Sequence, residues 1–534
     1  MTEAQASHPS ARSSFAGDRI DALDVLRGFA LVGICIVNVE FFNRPVAESG
    51  MGMAPRLQGL DWLAAWVVAY FFTGKFWTIF SLLFGMGFAL MLERARAAGR
   101  PFLPAYLRRI GALLAFGLLH HCLLWSGDIL ISYAFGALLL LVTLFVPGRH
   151  LLGAIMACVA LSLLPAPWST LAGLALPLAF AGIVALYLRG KPGAMGFALT
   201  MVVPGGLILL AALVQAVAGA DDGRTLAVAG IVLVGAGLLA RRHGGEGLAR
   251  LWRAGIAIFV LAFGLLAAEG GLRYFLPDAG ALGTAASTST EGREVDEDTA
   301  RGLRHGELLQ RSLEERRVLT AGSYADAVAM RVDHLGTRLR DEPGFSIVLV
   351  GVFLLGAWCV QGGMAAKVQA HRPLLRRLAW VGLPLGVGLG LASSLVATSR
   401  PPGIDDQGFD FAYGLLMLGS LPASLGYMAA LLLLLPRWPL LGRALAPLGR
   451  MALSNYLMQS LVLSLLFYAY GAGLWGMGRA AQTGVALALC ALQAVVSAWW
   501  LERHRYGPAE WVWRMFTYLR VPPWRTPARN TTVP

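Results

Sequence analysis

The sequence predicts an all-α, polytopic transmembrane helix bundle of about 14 spans, with both termini cytoplasmic and one large extracytoplasmic loop. Three observations predict it. Of 534 residues, 57% are apolar and only 14% charged, where an ordinary soluble domain carries roughly 25% charge. The apolar residues fall in runs of roughly 17–25, the length a helix needs to cross a bilayer core. The runs are continuous rather than alternating, which excludes strands as the spanning element. Basic residues, finally, gather in every second connection between runs.

The runs read as spans at 24–42, 60–93, 105–125, 128–146, 150–165, 168–188, 195–218, 225–240, 252–270, 345–365, 374–397, 411–435, 451–470 and 482–502. The second is long enough to break near Thr73-Gly74-Lys75. With the amino terminus inside, the cytoplasmic connections hold Arg94, Arg96, Arg100, Arg108 and Arg109, then Arg189 with Lys191, then Arg372, Arg376 and Arg377. Short outside connections hold few, such as Arg44, Arg56, Arg224 and Arg400. That is the positive-inside pattern. The net charge of +13 therefore reflects topology, and nucleic acid is excluded as a partner. Trp499, Trp500, Trp511, Trp513 and Trp524 fit an aromatic belt at the cytoplasmic exit. The first run carries Arg27 and Asn38 without a small-residue cleavage site, so it reads as an uncleaved span. The expected location is a bacterial inner membrane, crossed many times.

Residues 271–344 form the one long polar segment. Its Thr284–Thr290 stretch and acidic run Glu294–Asp298 read as loop. Leu303–Val318 and Tyr324–Leu339 have helical apolar spacing and read as amphipathic helices over the outer mouth. The domain organisation follows: a disordered tail at 1–18, an amino-terminal membrane core at 19–146, additional spans at 147–270, the outer loop at 271–344, a carboxyl-terminal membrane domain at 345–520 and a cytoplasmic tail at 521–534. The five cysteines lie inside apolar spans without disulfide or metal spacing and read as packing residues.

Polar residues within spans are the functional candidates. Arg27 and Asn38 lie eleven residues apart, nearly three whole turns, so they share one face about 16 Å apart. Asp24 precedes Arg27 by one turn. Arg109 and His120 repeat this spacing in the third span. His120-His121 is followed by Trp125-Ser126-Gly127-Asp128, and a carboxylate just across a tight turn can orient a histidine base. The plainer alternative is a packing histidine, with Asp128 capping the next helix. A metal site is not expected, because adjacent histidines diverge on a helix. No Gly-x-Ser-x-Gly nucleophile motif is present. Asn455 and Gln459, one turn apart, should face protein or a cavity, and interhelical hydrogen bonding is again the plainer alternative.

Leu23-Asp24-Val25-Leu26-Arg27-Gly28 with Asn38, Phe80-Ser81-Leu82-Leu83-Phe84-Gly85, Gly117-Leu118-Leu119-His120 with Trp125-x-Gly127-Asp128, Gly449 to Ser460, and Arg505-Tyr506-Gly507-Pro508-x-Glu510-Trp511 resemble the YeiB-like membrane proteins, the domain-of-unknown-function family 418. The resemblance covers roughly 19–146 and 315–520, and about 150–270 looks like an insertion. The Leu-Asp-x-Leu-Arg-Gly opening is also similar to the wider transmembrane acyltransferase superfamily. That resemblance implies acyl transfer from cytosolic acyl-CoA to a hydroxyl or amine on an envelope glycan or lipid, without a permanently bound cofactor. The sugar O-acyltransferases carry a histidine where this chain has Asn38, so His120 is the expected base and Asp128 its orienting partner. Asp24, Arg27, Asn38, Trp125, Asn455 and Gln459 are the expected substrate-binding residues. Arg109, Arg450 and Arg505 are expected to hold the donor phosphates. Two other classes fit the same residues: a small-molecule permease lined by the polar stripes, and a scaffold recruiting partners through 271–344.

Overall fold

The computed structural model describes residues 14–49, 52–54, 56–161, 172–189, 247–275, 291–364, 368–398 and 407–526, with short pieces between 202 and 238. The amino-terminal half holds α1 (Ser14–Asn38), α2 (Gly59–Val67), α3 (Lys75–Ala97), α4 (Phe102–Leu123), α5 (Leu130–Phe145), α6 (Gly148–Leu161), α7 (Ala172–Arg189) and α8 (Gly247–Phe275). The polar segment supplies α9 (Glu291–Ala321) and leads into α10 (Tyr324–Gln361). Then follow α11 (Arg372–Arg377), α12 (Leu383–Thr398), α13 (Gln407–Leu434), α14 (Pro439–Arg450), α15 (Ala452–Phe467), α16 (Arg479–Arg503) and α17 (Pro508–Tyr518). Among the described residues the only β pairing is an isolated bridge between His504 and Arg525.

The chain is a multi-pass membrane protein. Eight of the described helices are long and apolar enough to cross a bilayer, and three shorter apolar ones lie at Leu130–Phe145, Leu174–Arg189 and Ala452–Phe467. This is coarser than the expected fourteen spans. The expected spans at 195–218 and 225–240 fall mostly outside the described residues. The long second run does break at Thr73-Gly74. A wide turn over Val68–Phe72 ends the first piece, and Gly74 at φ +82° starts the second, a conformation glycine adopts without steric cost.

Two expectations for the polar segment change. Glu294–Asp298 belongs to α9 rather than to a loop, since the segment is dense in Glu, Arg and Leu, all good helix formers. The separate elements expected at Tyr324–Leu339 and 345–365 are one helix of 38 residues. A capping box starts it: Asp326 N donates to Ser323 Oγ at 3.2 Å, and Ser323 N to Asp326 Oδ2 at 2.8 Å. Pro343 lies inside it, at the cost of a local hydrogen bond, without ending it.

Helix α10 is the hub. It packs on α3, α5 and α8, and its Val348–Val360 stretch is almost wholly buried. Gly85 and Gly356 let α3 and α10 touch backbone to backbone: an added Cβ would stand 2.2 Å from Phe353 O and 2.1 Å from Leu82 O, respectively. One end of the bundle gathers the carboxyl end of α4, the α9–α10 hairpin, the 39–48 turns and the link from α15 to α16. Two of its arginines are neutralised locally, with Arg44 bound to Glu40 at 2.9 Å and to Glu48 at 3.0 Å, and Arg479 to Glu40 at 3.3 Å.

Helix α9 is clipped to the 46–48 turn. Glu315, only 4% exposed, accepts from Ala47 N at 3.2 Å, and Ser312 donates to Glu48 at 2.7 Å. Burial, abetted by Glu48, pushes the Glu315 carboxyl above its ordinary 4.5, against the opposing pull of backbone N–H groups and His334. Between the ordinary and the raised value, the docked carboxyl binds a proton more readily than the undocked one. Docking is strongest below the unfolded value and weakens as pH rises through the raised one. Hydrogen exchange over 306–321, corrected for intrinsic rates, should lose protection on going from about pH 4 to pH 8. Constant protection would count against a titrating latch.

Candidate functional site

His120 lies in the last turn of α4, and Asp128 in the short turn that leads into α5. The turn returns the chain sharply because Gly117 leaves room: a Cβ there would meet Ile131 N at 2.8 Å and Asp128 Oδ2 at 3.1 Å. His120 Nδ1 bonds Asp128 Oδ1 at 2.8 Å, and His120 Nε2 bonds Ser460 Oγ at 2.8 Å. Asp128 Oδ2 accepts from Ile131 N at 2.7 Å, so one carboxylate both orients the imidazole and caps α5. The two readings of Asp128 coexist. An acceptor carboxylate at Nδ1 requires the proton there, which leaves Nε2 to accept from the Ser460 hydroxyl. His120, Asp128 and Ser460 are each at most 2% exposed.

Ser460 was not among the expected site residues. It comes from α15, 340 residues away in sequence, and has no nucleophile motif around it. The available signal was helical spacing: Tyr456 and Ser460, four apart, share one face of α15, and both face His120. The Tyr456 ring centroid lies 5.0 Å from that of His120. Trp125 closes another side, edge-on to His120 at 6.3 Å and stacked on Phe42 at 4.4 Å.

The polar cluster extends along α10. Arg338 Nη2 donates to Asp128 O at 2.8 Å and pairs with Glu342 Oε1 at 2.7 Å, and Ser132 donates to the same carboxylate oxygen at 2.9 Å. Several buried atoms here lack a hydrogen-bond partner: Tyr456 OH, His121 Nδ1, Arg338 Nε and Glu342 Oε2. Buried orphans are costly, and four of the five such atoms among the described residues lie beside the relay. His120 and His121 diverge, the latter directing Nε2 to Arg331 O at 3.2 Å. Among the described residues no group of three His, Cys, Asp or Glu side chains could hold a metal ion.

The expected donor stripe lies at the other end of α1 and α4. Arg27 Nη1 pairs with Asp24 Oδ1 at 2.8 Å and stays one-third exposed, at 33%. The Arg109 guanidinium covers the Trp513 ring at 4.1 Å, and Trp513 Nε1 donates to Arg109 O at 3.0 Å. Arg27 and Arg514 lie within electrostatic reach of Arg109. The nearby Tyr106 hydroxyl is buried and unpartnered. Arg450 is exposed at the end of α14, and Arg505 is half-buried before α17. Asn38 is half-buried where α1 passes into the 39–42 turn.

Asn455 and Gln459 face α16 rather than the relay. Asn455 Nδ2 donates to Ser497 Oγ at 2.9 Å, Gln459 Nε2 to Gln493 Oε1 at 2.9 Å, and Gln493 Nε2 to Asn455 O at 3.0 Å. This ladder holds α15 in register on α16 and so positions Ser460. Glu510 fixes the other end of α15. Its Oε1 accepts from Leu453 N at 2.7 Å and Ser454 N at 3.1 Å, and its Oε2 from Ser454 Oγ at 2.5 Å. Burial raises the carboxyl above its ordinary value, and these bonds pull against the rise. Glu510→Ala strips the cap from a helix whose own N-cap, Met451, supplies no side-chain bond. It should cost about 1–3 kcal/mol, read as a lowered Tm, while Gly111→Ala, which meets nothing within 4 Å, should not.

Residues 359–520 match a family model described as "Protein of unknown function (DUF418)". The uncharacterized protein YxaH of Bacillus subtilis is 27% identical over 98% of this chain and 100% of its own length. The uncharacterized protein YeiB of Escherichia coli is 24% identical over 95% of this chain and 98% of its own. An uncharacterized 39.9 kDa protein from the amylase 3′ region of Bacillus acidopullulyticus is 38% identical over 23% of this chain and 34% of its own. No solved structure matches the chain.

Proposed function

This chain belongs to the YeiB-like DUF418 family, and from that premise we propose that it is an inner-membrane acyltransferase using acyl-CoA from the cytosol. The reading rests on one observation, the buried Ser460–His120–Asp128 relay with both bonds at 2.8 Å. In this order the three groups have the roles of a nucleophile, a general base and an orienting carboxylate. Ser460 Oγ attacks the donor's thioester carbonyl as His120 Nε2 takes its proton. The C–S bond breaks, and the thiol leaves with the proton returned by His120. An acceptor hydroxyl or amine then gives its proton to His120 and attacks the acyl-serine ester, and Ser460 regains its hydrogen.

The distances suit a long donor. Arg109 and His120, eleven residues apart on one face of α4, lie about 16 Å apart. A phosphate group held among Arg27, Arg109 and Arg514 leaves an extended thioester arm the depth of half a bilayer to reach the relay. The acceptor is an envelope glycan or lipid carrying a hydroxyl or amine. Calorimetry on the detergent-purified protein should show saturable acyl-CoA binding that is weakened at least tenfold in Arg27→Ala. Absence of binding to the wild type, from acetyl to medium-chain donors, would overturn the reading. Substrate flux into liposomes without any acyl donor would then favour a permease.

A further inference from the structure

The relay is buried, so a reactant reaches it only where its cover gives way. Much of that cover is helix: Tyr456 stands on α15, Ile131 on α5 and Arg338 on α10, each held within the packed bundle. One side is different. There the cover is three buried rings, Trp125, Phe42 and Tyr468, none of them on an α-helix. Trp125 stands edge-on to His120, Phe42 stacks on Trp125, and Tyr468 lies 6.1 Å from Phe42.

Helix α9 ties down the two stretches that carry Phe42 and Tyr468. Phe42 belongs to the 39–48 turns, whose Phe41 O also accepts from Trp125 Nε1 at 3.2 Å. Ala47 N and Glu48 in the same turns are bonded to Glu315 and Ser312 of α9. Tyr468 begins the link from α15 to α16, and its neighbour Ala469 donates its N–H to Leu319 O at 2.9 Å. Leu319 itself packs in one buried apolar cluster with Phe42, Trp125 and Tyr468. The contacts run without a gap from α9 to the ring beside His120.

Helix α9 is itself lightly held. Over 306–321 its only buried side chains are Ser312, Glu315 and Leu319, a single stripe at helical spacing. Two of the three are polar, so little apolar surface opposes undocking. We propose that α9 is a strap over the relay, and that the acceptor enters at this end when Glu315 lets go of the 46–48 turn. The strap is inferred from the packing, and only the identity of what it admits rests on the acyl-transfer reading. Glu315 faces Glu48 from the turn, His334 from α10 and Tyr468 from the link. Glu48 is in turn paired with Arg44 and Arg316. A carboxylate that forms at Glu315 meets Glu48 beside it, so release is favoured as pH rises.

The test uses the full chain in nanodiscs, with Ser460→Cys as reporter, a water-soluble methanethiosulfonate as reagent, and mass spectrometry to read modification at that position. Glu315→Gln accepts the same backbone N–H without a charge to form and should hold the strap shut, whereas Glu315→Ala removes the latch. At about pH 8 the reporter should react about fivefold or more faster with Glu315 than with Glu315→Gln, and at about pH 5 the two should be alike. Comparison at one pH cancels the ionisation of the reporter thiol. Glu315→Ala should react at the faster rate at either pH. Identical rates with Glu315 and Glu315→Gln at both pH values overturn the proposal, whether or not Glu315→Ala folds. So does a folded Glu315→Ala that reacts no faster than Glu315→Gln. With Ser460 in place, fluorophosphonate labelling should follow the same order. Gated modification of the reporter without fluorophosphonate labelling in any variant would support the strap and remove acyl-serine chemistry from beneath it.

Discussion

Ser460→Ala should lower acyl transfer about 10³–10⁴-fold, as should His120→Ala, and the double variant should be scarcely worse than either. Members of one relay fail together, because His120 without Ser460 has no nucleophile to activate and Ser460 without His120 keeps its proton. Asp128→Asn should be comparably severe. An amide at that position can present its N–H₂ to Nδ1, which moves the imidazole proton to Nε2 and removes the acceptor for the Ser460 hydroxyl. The measurement is transfer from labelled acyl-CoA by purified protein, paired with fluorophosphonate labelling of Ser460. Labelling should disappear in Ser460→Ala and fall strongly in His120→Ala. Full transfer by Ser460→Ala with none by His120→Ala would mean that His120 activates the acceptor directly. Full transfer by both would reduce the relay to helix packing.

The largest stability effects are expected where α1 crosses α14. A Cβ on Gly28 would stand 2.0 Å from Leu445 O, and one on Gly449 would stand 1.8 Å from Asp24 O. Both obstructions are backbone, so no side-chain rotation relieves them and the two helices must separate. Overpacking usually costs about 1–3 kcal/mol, and an unyielding contact belongs at or above the top of that range. Gly28→Ala and Gly449→Ala should each lower Tm and the yield of monodisperse protein. The pair should be less than additive, since the first separation makes room for the second. Gly87→Ala, with nothing within 4 Å, should stay within about 0.5 kcal/mol of wild type. Equal behaviour of Gly28→Ala and Gly87→Ala would refute this account of the crossing. The prediction also gives the Leu-Asp-x-Leu-Arg-Gly sequence a physical role: its glycine seats α14, and its Asp24–Arg27 pair lies beside that contact.

What the sequence by itself determined is what depends on neighbours in the chain. A span must supply its own apolar length and its own backbone hydrogen bonds, because lipid offers no partners. Membrane class, many span positions and the break at Gly74 were therefore legible. His120 and Asp128 were legible as a pair because only a turn separates them. What only the tertiary structure decided depends on which helices pack. Ser460 meets His120 across 340 residues, and Glu510 caps a helix that begins more than fifty residues before it. Asn455 and Gln459 turn to α16, although their own helix would equally allow them to face a cavity. Hydropathy marks a helix as buried in the bundle without choosing its neighbours, since apolar faces are interchangeable. The choice is made by glycine-sized approaches and by polar groups that must find each other where water is absent.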